Sequence, residues 1–192
     1  NYYLVAQWEI GNYTVNLDAN GGTLSGSLRS FDDVKFGQNV GALGFPTEGR
    51  TIPKRNGYIF QGWSVASSND ASNMFVVANG QSATPVTAPT MPSHDITVYA
   101  VWTQDTNKFL VHFDSDGGSR VNDQAHLKAS ATHYEKFSKP SKPGYDFKGW
   151  YFVNEDGSLD SDGIQPATAN VPLKASVDHT FKAQWEPRTD TE

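Results

Sequence analysis

Tyr13-Thr14-Val15-Asn16-Leu17-Asp18-Ala19-Asn20-Gly21-Gly22 returns 96 residues later as Phe109-Leu110-Val111-His112-Phe113-Asp114-Ser115-Asp116-Gly117-Gly118. In the first copy Tyr13, Val15 and Leu17 alternate with Thr14, Asn16 and Asp18, and Phe109, Val111 and Phe113 hold the same places in the second. Period two is the mark of a half-buried strand. Both strands then meet Asn20-Gly21 or Asp116-Gly117. Such dipeptides accept positive φ at both centres of a type I′ turn, so a hairpin reversal is expected there.

Two more blocks recur in the same order. Gly57-Tyr58-Ile59-Phe60-Gln61-Gly62-Trp63 returns as Gly144-Tyr145-Asp146-Phe147-Lys148-Gly149-Trp150, 87 residues on, and Asp95 to Trp102 returns as Asp178 to Trp185, 83 residues on. The shrinking offset means shorter loops in the second copy with the register kept. In the central block Gly62 or Gly149 interrupts the alternation, which predicts a bulge or a close backbone approach before the tryptophan. The closing block puts Ile96, Val98, Ala100 and Trp102 on one face, as it does Phe181, Ala183 and Trp185.

Ala6-Gln7-Trp8-Glu9 is identical to Ala183-Gln184-Trp185-Glu186. The organisation expected is therefore a stub at 1–10 that reads as the closing strand of a preceding repeat, repeat 1 at 11–104, repeat 2 at 105–187 and a polar tail at 188–192. Tyr2, Leu4, Ala6 and Trp8 make an apolar face on the stub, expected to dock on repeat 1 or on a neighbouring chain. The chain opens at Asn1 without a methionine or a signal peptide, and is expected to be part of a longer protein.

Composition narrows the class. The chain has 192 residues, 37% of them hydrophobic and 12% aromatic, with 17 glycines and 10 prolines. That balance favours strands and turns over long helices. No apolar run is long enough to span a bilayer. Absence of cysteine excludes disulfides, thiolate metal sites and cysteine nucleophiles, and is compatible with the cytosol or with an outer surface. A net charge of −6 argues against non-specific nucleic-acid binding. Leu127, Ala131, Tyr134 and Phe137 fit helical spacing, but the repeat-1 counterpart carries Gly37 and Gly41. One short helix per repeat is expected, near Gln38 to Leu43 and Thr132 to Phe137, and the fold class is α+β, mostly β.

With these blocks in view, the pattern resembles the Listeria-Bacteroides repeat, also known as the internalin B repeat. Its hallmarks are an opening strand ending Asp-x-Asn-Gly-Gly, a central Gly-Tyr-x-Phe-x-Gly-Trp and a closing Tyr-Ala-x-Trp. Repeat 1 has all three, as Asp18 to Gly22, Gly57 to Trp63 and Tyr99 to Trp102. Repeat 2 departs at Asp116, for Asn, and at Lys182, for Tyr. The resemblance implies a small β-grasp, ubiquitin-like unit per repeat, with a mixed sheet packed on one short helix. It also implies extracellular, cell-wall-anchored display on a bacterial surface.

Chemistry is sparsely signalled. Asp114 to Gly118 lacks the spacing of an EF-hand loop and is expected to be a turn. The acidic stretch Glu155 to Asp162 is expected to be a solvated loop. His94, His112, His126, His133 and His179 have no metal-ligand spacing, and no nucleophile elbow or phosphate loop occurs. Neither an enzyme nor a cofactor is expected. The five tryptophans hold repeat-locked positions and read as core residues rather than sugar platforms. Lys128, Lys136, Lys139, Lys142 and Lys148 read as a wet face.

The function expected is a non-catalytic spacer and adhesion-support module of a bacterial surface protein. Its partners would be adjacent repeats of the same parent chain, with no nucleic acid and no membrane insertion. The alternative is a module that binds a host glycan or protein through loops that differ between repeats, 64–92 and 151–172. Met74, Phe75, Val76 and Val77 form an apolar cluster without a repeat counterpart and are the first ligand-contact candidates.

Overall fold

In the computed structural model, residues 2–166, 168 and 170–189 are described. Only Arg188 and Thr189 of the expected tail fall within them. The chain divides into two compact units, Asn1–Thr103 and Gln104–Glu192. Unit 1 carries strands β1 (Asn12–Asp18), β2 (Ser30–Lys35), β3 (Tyr58–Ser64), β4 (Met74–Val77) and β5 (Ile96–Gln104) in a sheet ordered β2-β1-β5-β3-β4. Unit 2 carries β6 (Lys108–Asp114), β7 (Gln124–Leu127), β8 (Tyr145–Phe152) and β9 (His179–Pro187), ordered β7-β6-β9-β8.

The opening and closing strands are parallel neighbours. Val15 stands opposite Ile96 and Asp18 opposite Tyr99, while Val111 stands opposite His179 and Asp114 opposite Lys182. The closing strand therefore lies inside each sheet, flanked on both sides. β8 runs antiparallel to β9, and the register slips by one residue between Phe147 and Gly149. This is the expected bulge. Gly149 has φ +142° and its counterpart Gly62 +150°, and a Cβ on Gly62 would lie 2.1 Å from the Val76 carbonyl oxygen, so only glycine serves there.

Each unit has its own core. Val15, Leu17, Phe45, Phe60, Trp63, Val98 and Trp102 pack together in unit 1. Phe109, Val111, Tyr134, Phe137, Trp150 and Phe181 do so in unit 2. The two clusters share no residue.

The α+β, β-grasp expectation is corrected. Among the described residues there is no α-helix, and helical geometry is confined to three three-residue 3₁₀ turns, Val40–Ala42, Gly49–Thr51 and Ala71–Asn73. The units are nearly all-β. Where helices were expected, the backbone spends its hydrogen bonds sideways. Val40 N–H donates to the Pro89 carbonyl and Met91 N–H to that of Gln38. In unit 2, Tyr134 N–H donates to Val171 and Leu173 N–H to Thr132. Only one turn of the unit-2 periodicity survives, where Ala131 N–H reaches the Leu127 carbonyl.

The hairpin expectation needs a smaller change. Asn20 (φ 48°) with Gly21 (φ 86°), and Asp116 (φ 47°) with Gly117 (φ 81°), form the predicted turn, closed by Gly22 N–H to Ala19 and Gly118 N–H to Ser115. The chain then leaves the sheet, so that the antiparallel partner of β1 begins only at Ser30 and that of β6 only at Gln124.

The stub does not dock on unit 1. Residues 2–10 form no strand and are exposed, with Leu4 103% and Trp8 90% accessible. The physical reason is occupancy, because the place that its sequence matches in unit 1 is already filled by β5.

A Cβ at position 22 would meet the Lys54 carbonyl oxygen at 2.6 Å and the Trp102 ring at 2.7 Å. Gly22→Ala is expected to destabilise unit 1 by about 1–3 kcal/mol through overpacking. Denaturant melts should show the loss in unit 1 alone, with the unit-2 transition unmoved.

Candidate functional site

The arrangement that both units build with different residues is a set of clamps at the two ends of the parallel strand pair. At the far end, the Trp102 Nε1–H donates to the Ala19 carbonyl (2.9 Å) and the ring lies on Gly22. Trp185 Nε1–H donates to Ser115 (3.0 Å), with its ring on Gly118. The second glycine of each Gly-Gly pair is thus the floor under the closing indole. At the near end, a carboxylate ahead of the closing strand accepts from the backbone of the opening strand: Thr14 N–H to Asp95 Oδ1 (2.7 Å) and Leu110 N–H to Asp178 Oδ1 (2.8 Å). Burial opposes charge on Asp178, but the Leu110 N–H, the Gln104 amide and the weaker charge interactions with His112 and Lys128 together hold its carboxyl below the usual range.

A third contact pins the turn. Arg55 lies 3.8 Å over the Tyr58 ring and donates to the Asn20 carbonyl (3.4 Å). Lys142 lies 4.7 Å from the Tyr145 ring centre and donates to the Asp116 carbonyl (2.7 Å). The shallow groove beside it, lined by Lys139, Lys142, Tyr145, Trp185 and Arg188, is therefore the outer surface of a repeated structural contact.

The other tryptophans of the repeats are also internal. Trp63 and Trp150 are fully buried, donating to the carbonyls of Pro46 and Ser138. Trp8 alone of the five is exposed.

The ligand-contact candidates stand as follows. Met74–Val77 is β4, paired antiparallel with β3, so that Trp63 faces Val76. Met74 is 0% and Phe75 7% exposed, and Phe75 meets Phe45 edge-on at 5.4 Å. Val76 and Val77 are half-buried. A short apolar run without a partner copy reads equally as a surface patch or as an inserted buried strand, and here it is the strand. Phe75→Ala is expected to cost unit 1 about 3–5 kcal/mol while leaving unit 2 alone.

The acidic loop uses its own charges. Asp156 accepts from the Ser158 N–H and hydroxyl, and Asp160 pairs with Lys174. Among the described residues, no group of three or more histidines and carboxylates is placed to hold a metal ion. Nor, among the described residues, is any helix long and apolar enough to cross a membrane.

Sequence spacing missed a polar cluster in the core of unit 2. Gln124 clasps the backbone of Glu135 at both its N–H and its carbonyl, and its Oε1 also accepts from His126 Nε2 (3.0 Å). His179 sets Nδ1 against the Val177 carbonyl (2.7 Å) and Nε2 against the Tyr134 hydroxyl (2.9 Å), which itself accepts the Lys174 N–H. That chain of donors assigns His179 as neutral, protonated on Nδ1. Both rings stack on Phe109. Burial pushes both imidazoles below the ordinary value. The Glu135 charge opposes this at His126; at His179 the Val177 carbonyl opposes it and His126 adds to it.

The sign follows from those directions. Unfolded imidazoles take a proton as the pH falls below about 6.5, while the folded unit resists. The stability that the neutral pair contributes is present above that pH and lost as the pH falls toward the lowered folded-state values. Unit 2 is expected to melt at lower denaturant at pH 5 than at pH 7.5. Unit 1, whose one histidine is the exposed His94, is the internal control.

Ser115 Oγ is a buried hydroxyl with no hydrogen-bond partner among the described residues, and the equivalent residue of unit 1 is Ala19. Ser115→Ala is expected to raise the stability of unit 2 by about 1 kcal/mol, read as a higher denaturant midpoint.

Comparison with known proteins agrees with the repeat pattern. The model of the Listeria-Bacteroides repeat domain matches residues 13–101 and 109–176. A protein of Evansella cellulosilytica, provisionally named a Gly-rich membrane protein, is 31% identical over 189 residues, 97% of this chain and 18% of its own length. Internalin H of Listeria monocytogenes is 31% identical over 111 residues, 56% of this chain and 17% of that protein. The chain thus spans less than a fifth of these relatives. Among solved structures, domains 3-4 of a cell surface protein with Streptococcal High Identity Repeats in Tandem are similar at 13% identity and a TM-score of 0.23, covering 92% of this chain and 99% of that one. A likeness at that level carries no argument. Both matched segments start on an opening strand and run through the Gly-Tyr-x-Phe-x-Gly-Trp block, and this chain belongs to the Listeria-Bacteroides repeat domain family.

Proposed function

We propose that the chain is a non-catalytic spacer and adhesion-support segment of a bacterial cell-surface protein. The observation that carries this is the clamped parallel pair. β1 begins at one end of its sheet and β5, parallel to it, ends at the other; β6 and β9 repeat the arrangement. Tension entering at the start of the opening strand and leaving at the end of the closing strand pulls the two past each other. The ladder bonds then share the load, as do the Asp95 and Trp102 clamps or their Asp178 and Trp185 counterparts. Antiparallel neighbours pulled from one end would instead yield a bond at a time.

Family membership and the names of the relatives, an internalin and a membrane protein, support surface display. Repeats of this sort act in the reading proposed here by holding distance and bearing load, with neighbouring repeats of the same chain as partners.

Single-molecule pulling on the intact chain is expected to give two discrete unfolding events, one per unit. Trp102→Ala should lower the force of one event and Trp185→Ala that of the other, each variant also losing about 3–5 kcal/mol in equilibrium melts. Smooth extension at low load would overturn the proposal.

A further inference from the structure

Residues 2–9 have the sequence of a closing strand and none of its contacts. Aligned on the shared Ala-Gln-Trp-Glu, Leu4 falls at the position of Val98 and Phe181, Ala6 at that of Ala100 and Ala183, and Trp8 at that of Trp102 and Trp185. In the two completed strands Val98, Phe181, Ala100 and Ala183 are 0% exposed and Trp102 3%. In the stub, Leu4 is 103% and Trp8 90% exposed.

We propose that residues 2–9 are a donor strand that completes a further repeat of the same kind, N-terminal to residue 2, by filling the slot between that repeat's opening strand and its Gly-Tyr-x-Phe-x-Gly-Trp strand. The occupant of the apolar face is thus an incomplete repeat, and three features support it over a sheet edge or a second copy. A closing strand is flanked on both sides in both units, parallel to the opening strand and antiparallel to the strand bearing the central block in unit 2. The edges that units 1 and 2 offer, β2, β4, β7 and β8, supply one side only. Both two-sided slots of this chain are filled, by β5 and β9.

Glu9 falls at the position of Glu186, which pairs with Lys148 of the central block at 2.6 Å. The indole is the decisive group, since in both units it finds its N–H acceptor and its glycine floor on the opening turn, which the stub lacks.

The inference rests on the repeat-module reading, and its test is separate from the pulling of units 1 and 2, neither of which contains residues 2–9 in its sheet. Writing the sequence of residues 2–5 into β9 takes four substitutions in the full chain: His179→Tyr, Thr180→Tyr, Phe181→Leu and Lys182→Val. Residues 183–186 are already those of the stub. Unit 2 of this variant is expected to keep a cooperative transition at a lower denaturant midpoint. In a second protein, residues 105–178 are fused ahead of residue 2 of the full chain. There, pulling should give a third event, and amide exchange over residues 4–8 should slow by about 100-fold or more relative to the unfused chain. Trp8→Ala in the fusion should abolish the third event and leave the other two. Loss of the unit-2 transition in the first variant, or free exchange of residues 4–8 with only two events in the fusion, overturns the proposal. Dimerisation of the unmodified chain that Trp8→Ala abolishes would assign the strand to a second copy and overturn it too.

Discussion

Each unit depends on an indole that closes what a turn has opened. Trp102 and Trp185 come from the end of the last strand of their units, yet their N–H groups bond carbonyls just past the end of the first strand, across 83 and 70 residues of chain. The contact joins the two most distant parts of the unit, so it has meaning only when the whole sheet is assembled. It also sets the composition of the turn. A side chain on Gly22 or Gly118 would stand where the ring lies, so the second glycine and the tryptophan are one device written in two places.

From that clamp the topology follows. Holding the end of the closing strand at the end of the opening strand makes the two parallel, and parallel pairing requires a long crossover. The crossover carries the central block, which pairs on the other side of the closing strand in unit 2. It also carries the segments around Val40 and Tyr134, which bridge to the chain just before the closing strand: Asn39 to Thr90 and His133 to Pro172. Beside those bridges only the 3₁₀ turn Val40–Ala42 forms, and no α-helix occurs among the described residues. A residue whose N–H is given to a distant carbonyl cannot give it to the residue four back.

The two units solve the same problem with different interiors. Unit 1 adds β4 to its sheet and fills its core with Met74, Phe75 and Phe45. Unit 2 has no such strand among its described residues and packs His126 and His179, whose charged forms burial disfavours, against Phe109, Tyr134 and Phe181. The clamps are common to both while the filling is not: the strand ends carry what the two units share, and the buried histidines belong to unit 2 alone.

Sequence alone determined what is local and what is repeated. The Asn-Gly and Asp-Gly turns, the bulge at Gly149, the alternating strands, the copy number and the burial of the repeat tryptophans all follow from side-chain period and backbone sterics within a few residues. Tertiary structure decided whatever depends on a competing partner far along the chain. The helical spacing of Leu127, Ala131 and Tyr134 gave way because Tyr134 found Val171 and Leu173 found Thr132. The apolar cluster at 74–77 became a strand because β3 offered it an edge. Leu4 and Trp8, written like core residues, find no place in units 1 and 2 because the positions that they match there are filled by β5 and β9. Periodicity names the face that a segment will bury; only the assembled sheet shows whether there is a place left to bury it.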